Sequence, residues 1–206
     1  MGRILVLDYG NANANSILRA LQAIGAEALY SNDPTDLGAA QAIILPGVGH
    51  AGQAMAAIDR DGLRGPLEAA RERGTRILGI CLGMQLMSDW IEEGECAGLG
   101  WIGGRAMALS VSDKRRFKVP HIGWNTVDKA TSLGLMRDRD VLEPYYFCHK
   151  YEMTDLPPTV ATASFEYERE RIAAFEHEKL AGVQFHPEKS HAAGRALFKT
   201  WLDGSR

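Results

Sequence analysis

Short stretches that are apolar almost throughout, separated by helical patterns that end at glycine, restrict this chain more than any other feature of its sequence. Ile4–Leu7, Glu27–Tyr30, Ala42–Leu45 and Arg76–Ile80 are the strand-like runs, while Ser16–Ile24 before Gly25, Leu63–Arg73 before Gly74 and Leu82–Ile91 carry helical spacing. A strand with no polar alternation must be covered on both faces, and helices that alternate with the strands supply that cover. The pattern predicts an α/β fold with a doubly wound, mostly parallel open sheet and helices on both faces. From about Arg105 the texture changes. Arg105–Leu109, Trp124–Val127, Tyr145–Tyr151, Val160–Phe165 and Ile172–Phe175 are short, alternating or aromatic runs that read as antiparallel strands. A last helix is expected over Ala192–Leu202 with Ser190 as its cap.

Composition narrows the functional classes. The 206 residues, 46% hydrophobic and 24% charged, suit one domain spanning 1–206. A formal net charge of −3, with only the short Lys114, Arg115, Arg116, Lys118 run as a basic cluster, speaks against a nucleic-acid partner. No apolar run approaches the roughly 20 residues that span a bilayer, and the first residues lack a signal-peptide layout, so no membrane association and a cytoplasmic location are expected. Cys81, Cys96 and Cys148 are an odd number without short paired spacing, which disfavours a disulfide framework. No histidine pair has the spacing of a metal site, and neither a metal nor a cofactor is expected.

Chemistry concentrates in Gly79-Ile80-Cys81-Leu82-Gly83, between an apolar strand and a helical pattern. This is the form of a nucleophile elbow, in which a sharp strand-to-helix turn lifts a reactive side chain above the sheet and glycines admit neighbouring backbone. A helix N-terminus favours thiolate, and the Leu82 amide is the natural first donor of an oxyanion hole. On this short pattern alone, an ordinary buried cysteine remains the competing reading. Near the other end, Val183-Gln184-Phe185-His186-Pro187-Glu188 reads as a strand end in which residues i and i+2 share a side, so that Glu188 can orient the His186 imidazole as a general base. The alternative is a capped strand end with a surface ion pair. After Ala42–Leu45, the loop Pro46-Gly47-Val48-Gly49 has the backbone freedom to turn a Gly47–Val48 amide inward as the second oxyanion donor. A plain Pro-Gly turn is the rival there.

Taken in chain order, these stretches resemble the class I, triad-type glutamine amidotransferases, and within them the glutaminase subunits of imidazole glycerol phosphate synthase. Asp8-Tyr9-Gly10, Lys118-Val119-Pro120-His121-Ile122-Gly123-Trp124-Asn125, Tyr146-Phe147 with His149 and Tyr151, and Lys189-Ser190 extend the likeness over nearly the whole chain. The resemblance implies a flavodoxin-like sheet and a Cys81–His186–Glu188 triad that releases ammonia from glutamine through a γ-glutamyl thioester. It further implies that Gly49, Gln85, His149, Lys150 and Tyr151 bind the substrate, and that Asn13, Asn15, His121, Trp124 and Lys189 meet a partner. That partner would be a (β/α)8 cyclase subunit, in histidine biosynthesis, or, from a paralogous branch, a sugar amidotransferase of surface polysaccharide synthesis. The chain departs from the family pattern with Ala12 and Ala14 around Asn13 and with Cys148-His149-Lys150. Readings of other kinds are a stand-alone γ-glutamyl hydrolase and a catalytically silent regulatory subunit. Because the Gly47-Val48-Gly49 turn is free to move, glutaminase activity is expected to be low alone and to rise when a liganded partner binds.

Overall fold

The computed structural model describes residues 3–10, 14–128, 133–136 and 144–204. Ile4–Leu7 (β1), Ala28–Ser31 (β2), Ala42–Leu45 (β3) and Arg76–Ile80 (β4) lie parallel in one sheet with Leu180–Val183, in the order β2, β1, β3, β4, Leu180–Val183. Arg169–His177 and then Ala161–Tyr167 continue the same sheet antiparallel. β1, β3 and Leu180–Val183 are apolar throughout because each face has its own core, whereas β2 at the sheet edge is half-buried and β4 opens with Arg76. Ile4 and Val6 of β1 and Ile44 of β3 pack under Ile17, Leu21, Leu197 and Phe198, which come from helices Ala14–Gln22 and His191–Asp203. Leu5, Leu7 and Ile43 point the other way, onto Met55, Ile58 and Leu67 of helices Ala51–Arg60 and Arg64–Glu72. The expected doubly wound α/β sheet is therefore what the chain forms, and its strand order is the flavodoxin-like one.

Some expectations change in detail. Helical spacing over Leu82–Ile91 yields a helix only at Leu82–Gln85, and Trp90–Ile91 is a strand. The carbonyls a longer helix would need are taken from elsewhere: Leu99 N–H donates to Leu86 O at 2.7 Å, Trp101 N–H to Met87 O at 2.9 Å and Gly100 N–H to Ser88 O at 3.0 Å. Tyr145–Tyr151 divides into Pro144–His149, paired with His121–Thr126, and Tyr151–Thr154, paired with Arg105–Ala108. Lys150 sits between them, where the chain passes from one small sheet to the other. Helices Pro34–Ala39 and Ala51–Arg60 were not anticipated. Among the described residues no helix is long and apolar enough to cross a membrane.

Sheet topology places the chemistry. Register pairs Leu45 with Gly79 and Ile80 with Val183, so β3, β4 and Leu180–Val183 end side by side at their carboxyl ends. These three ends lead into the Gly47 loop, the Cys81 turn and the His186 segment, on the rim where open α/β sheets hold ligands.

Candidate active site

Cys81 follows β4 directly with φ 51° and ψ −103°, a left-handed backbone that a side chain with a Cβ tolerates at a cost of about 1–3 kcal/mol. Its surroundings hold it there. The Cys81 amide donates to Val183 O at 2.7 Å, and the Gln85 amide donates to Cys81 O at 3.2 Å. A Cβ on Gly83 would lie 2.0 Å from Leu45 O, and one on Gly47 would lie 1.6 Å from Ile80 O and 2.7 Å from the Leu82 nitrogen. Only glycine permits this approach, which presses the turn after β3 onto the turn after β4 and sets Gly47 beside the Leu82 amide. Leu82 opens its helix, so its N–H has no acceptor within that helix. The buried Tyr9 hydroxyl donates to Pro46 O and ties the Gly47 loop to the end of β1.

His186 is anchored through its backbone and its ring. Its N–H donates to Tyr146 O at 2.8 Å. The Ser190 hydroxyl donates to His186 O at 2.6 Å while accepting from the Tyr146 N–H at 3.0 Å. Ser190 precedes the last helix as expected, but its hydroxyl does not cap it; it fastens His186 instead. His186 Nδ1 lies 2.8 Å from Glu188 Oε1, and the two side chains are 2% and 1% exposed. A carboxylate can only accept, so Nδ1 carries the proton and Nε2 is left for chemistry. The pairing is made across a 3₁₀ turn over Pro187–Lys189, not along an extended strand. Pro187 has the fixed φ that suits a first helical position, and the Lys189 and Ser190 amides close the turn onto His186 O and Pro187 O. Burial alone would lower the His186 pKa, but hydrogen bonds to Cys81 and Glu188, with their charges, outweigh it and raise the value to about 10. The arrangement favours an imidazolium at His186.

Cys81, His186, Leu82, Gly47 and Val48 line one cleft of about 260 Å³. Cys81 is 7% exposed into it. Gly49, Gln85, His149, Lys150 and Tyr151 line the same cleft but differ in what they present. The Gln85 side-chain nitrogen is bound to Tyr151 O and to Gln184 Oε1, both at 3.2 Å, so this amide builds the wall instead of pointing at a substrate. The His149 ring is likewise inward, with Nδ1–H donating to Tyr151 O at 2.8 Å and Nε2 lying 3.1 Å from His121 Nδ1. Burial lowers the pKa of His149 to about 3, helped by the nearby His121, His186 and Arg171 charges, and lowers that of His121 to about 4, helped by Arg171. Lys150 is exposed at the cleft.

The residues expected at a partner surface separate as well. Asn15 and Lys189 are exposed and Trp124 is 49% exposed, stacked on His191 at 5.3 Å. Lys189 also lines the cleft, its Nζ 5.6 Å from the centre of the Tyr146 ring. His121, expected there, is not at the surface: it is 4% exposed, packed against Phe147, Phe165 and Tyr167, and offers no side chain to a partner. Asn13 lies outside the described residues. Two further residues escaped the sequence reading. Glu93 lines the cleft and accepts the Ala51 N–H at 2.8 Å, which its place in an acidic loop does not distinguish from a solvated surface charge. Gln184 is fully buried with Nε2 3.5 Å from Cys81 Sγ; its position two residues before His186 was the available signal. Among the described residues no group of three or more His, Cys, Asp or Glu side chains is placed to hold a metal ion.

Comparison with known proteins supplies the family. Residues 5–202 match the family model described as glutamine amidotransferase class-I. The chain is 38% identical to the protein named imidazole glycerol phosphate synthase subunit HisH of Streptococcus mutans, over 97% of this chain and 98% of that one. It is 37% identical to the protein of the same name from Rhodospirillum rubrum, over 97% and 98%. Among solved structures, PurLQS from Thermotoga maritima shares the fold with a TM-score of 0.76 at 20% identity, covering 98% of this chain and 99% of that one. A crystal structure described as a glutamine amidotransferase gives 0.76 at 16% identity, over 97% of each chain.

Proposed function

Because the chain belongs to the class-I glutamine amidotransferases, and among them to the HisH subunits of imidazole glycerol phosphate synthase, we propose that Cys81, His186 and Glu188 carry out its glutaminase reaction. The chain is a glutaminase subunit of histidine biosynthesis. The observation that carries the assignment of residues is the convergence, in one cleft, of a cysteine on a strained turn and a histidine whose Nδ1 is held by Glu188 at 2.8 Å.

In this mechanism the Cys81 thiolate attacks the side-chain carboxamide carbon of glutamine. The oxygen that becomes negative is received by the Leu82 amide and by an amide of the Gly47–Val48 segment, donors that gain strength as charge develops. The His186 imidazolium gives its Nε2 proton to the departing nitrogen, ammonia leaves, and a γ-glutamyl thioester remains. His186, now neutral, takes a proton from water, which attacks the thioester and frees glutamate and the thiolate. Glu188 keeps the ring orientation and offsets the imidazolium charge at each stage. At the substrate's other end, the Glu93 carboxylate suits an α-ammonium and the Lys150 ammonium an α-carboxylate, since both line the cleft.

We assign the ammonia acceptor to a (β/α)8 cyclase partner. Supporting this is an exposed apolar group, Val119 at 45%, Ile122 at 58% and Trp124 at 49%, on and beside the strand His121–Thr126. Ile122 and Trp124 stand two residues apart on that strand and so face the same way, as an apolar surface that a partner covers would. Cys81→Ala in the complex should abolish glutamine hydrolysis while leaving the synthase supplied by added ammonium salt. Glutamine turnover by that variant at the parent rate would end the assignment. Hydrolysis by the parent should rise when the liganded cyclase is added; equal rates with and without it would count against a partner-controlled Gly47–Val48 amide.

A further inference from the structure

The geometry points to Gln184 as a positioning residue for the nucleophile: its side-chain amide donates to the Cys81 sulfur, and Gln85 together with Tyr151 O fixes the direction of that amide. This rests on Cys81 being the nucleophile. The orientation follows from counting donors. Tyr151 O is a carbonyl and can only accept, so Gln85 must turn its NH₂ toward it, at 3.2 Å. The same nitrogen lies 3.2 Å from Gln184 Oε1, which must therefore be the acceptor end of that side chain. The other end, Nε2, then faces Cys81 Sγ at 3.5 Å. A flipped Gln184 would set nitrogen against nitrogen and oxygen against sulfur. Gln184 is 0% exposed and Gln85 3%, so water is not at hand to compensate for a wrong orientation.

The relay runs from the cleft wall at Tyr151 through two carboxamides to the sulfur. It meets Cys81 from strand Leu180–Val183, one residue beyond its end, and Gln184 is itself held by donating its N–H to Ala173 O at 2.8 Å. A neutral thiol gains little from such a donor. A thiolate gains a charge-assisted hydrogen bond and loses rotational freedom about its Cα–Cβ bond, so the lone pair used for attack stays aimed into the cleft. Gln85 has its role through Gln184, which accounts for a cleft residue whose amide nitrogen is committed to the wall.

The test compares Gln184→Met and Gln85→Met with the parent, in the complex with the synthase partner. Two quantities are read: glutamine turnover, and the pH midpoint for iodoacetamide labelling of Cys81, followed by mass spectrometry of the peptide that carries it. Gln184→Met should lower kcat about tenfold with KM changed by less than about twofold, and should move the labelling midpoint to higher pH. Gln85→Met, which leaves Gln184 in place but unlocked, should shift both in the same direction by less. It also serves if Gln184→Met does not fold. A labelling midpoint equal to the parent's and kcat within about twofold in the variants that fold would overturn the inference, because a residue that merely fills the core could not hold the thiolate. Cys81→Ala, run alongside, keeps the two ideas apart. If that variant is inactive while the glutamine variants behave as the parent, only the role of Gln184 fails; if it remains active, the nucleophile itself was misassigned.

Discussion

At the scale of single residues, Glu188 shows how a buried side chain governs the charge of its neighbour. Its Oε1 accepts the hydrogen bond of His186 Nδ1–H at 2.8 Å, both side chains being buried, and its charge is one of the influences that raise the His186 pKa. Glu188→Gln keeps the shape and one acceptor but removes the charge, and a rotated amide would force the wrong tautomer on the ring. We expect kcat to fall by about 100-fold or more with KM little altered. The sign of the pH effect follows from the same contact: without the carboxylate the imidazolium is held less tightly, so the alkaline limb of the pH–rate profile should move to lower pH. A profile that coincides with the parent's would contradict this. Gly47→Ala tests steric need instead of charge. Its Cβ would stand 1.6 Å from Ile80 O, a backbone atom that cannot swing aside. Loss of about 3 kcal/mol or more of stability in urea denaturation, or failure to fold, is the expected outcome.

At the scale of elements, the strand ends and the turns that follow them deliver the site, and Ser190 shows how tightly. Its hydroxyl bonds to both His186 O and the Tyr146 amide, joining the His186 segment to strand Pro144–His149. Ser190→Ala leaves the Tyr146 amide without that partner and His186 O with the Lys189 amide alone, which should cost about 1–3 kcal/mol in denaturant unfolding and lower kcat more than it changes KM. A variant as stable as the parent would show that other bonds suffice. The strands β1, β3 and β4 were legible in the sequence because burial on both faces leaves no polar alternation, and the Cys81 turn was legible because glycine must stand at position 83. The helix expected over Leu82–Ile91 was not, since its carbonyls are claimed by Leu99, Gly100 and Trp101 through pairings that no local period records. His121 was misplaced for a simpler reason. It and Trp124 are three residues apart on one strand, so a period of two sends them to opposite faces, one buried and one exposed. Gln184 lay inside a recognised motif, yet its contact with Cys81 depends on strand Leu180–Val183 lying beside β4, a neighbourhood visible only in three dimensions.

At the scale of the whole molecule, three buried histidines pull stability in opposite directions with pH. His121 and His149 are joined at 3.1 Å and held below the ordinary 6.5, at about 4 and about 3, chiefly by burial. The unfolded chain therefore binds protons at these two sites before the folded one does. Their contribution is present above about pH 6.5 and is lost as pH falls toward 4 and then 3, on the order of 1 kcal/mol per site for each pH unit. His186 has the reverse sign: raised to about 10, it contributes fully below 6.5 and is lost as pH climbs through 10. His121→Phe separates the terms, because the aromatic neighbours Phe147, Phe165 and Tyr167 can accept a ring there while one titrating site disappears. Unfolding free energy in urea, followed from pH 6.5 to 4, should show a slope smaller by about one proton in the variant. Above pH 8 its curve should run parallel to the parent's, since His186 is untouched. An unchanged acid slope would mean that His121 is already protonated in the folded chain, and the buried neutral pair behind the cleft would have to be abandoned.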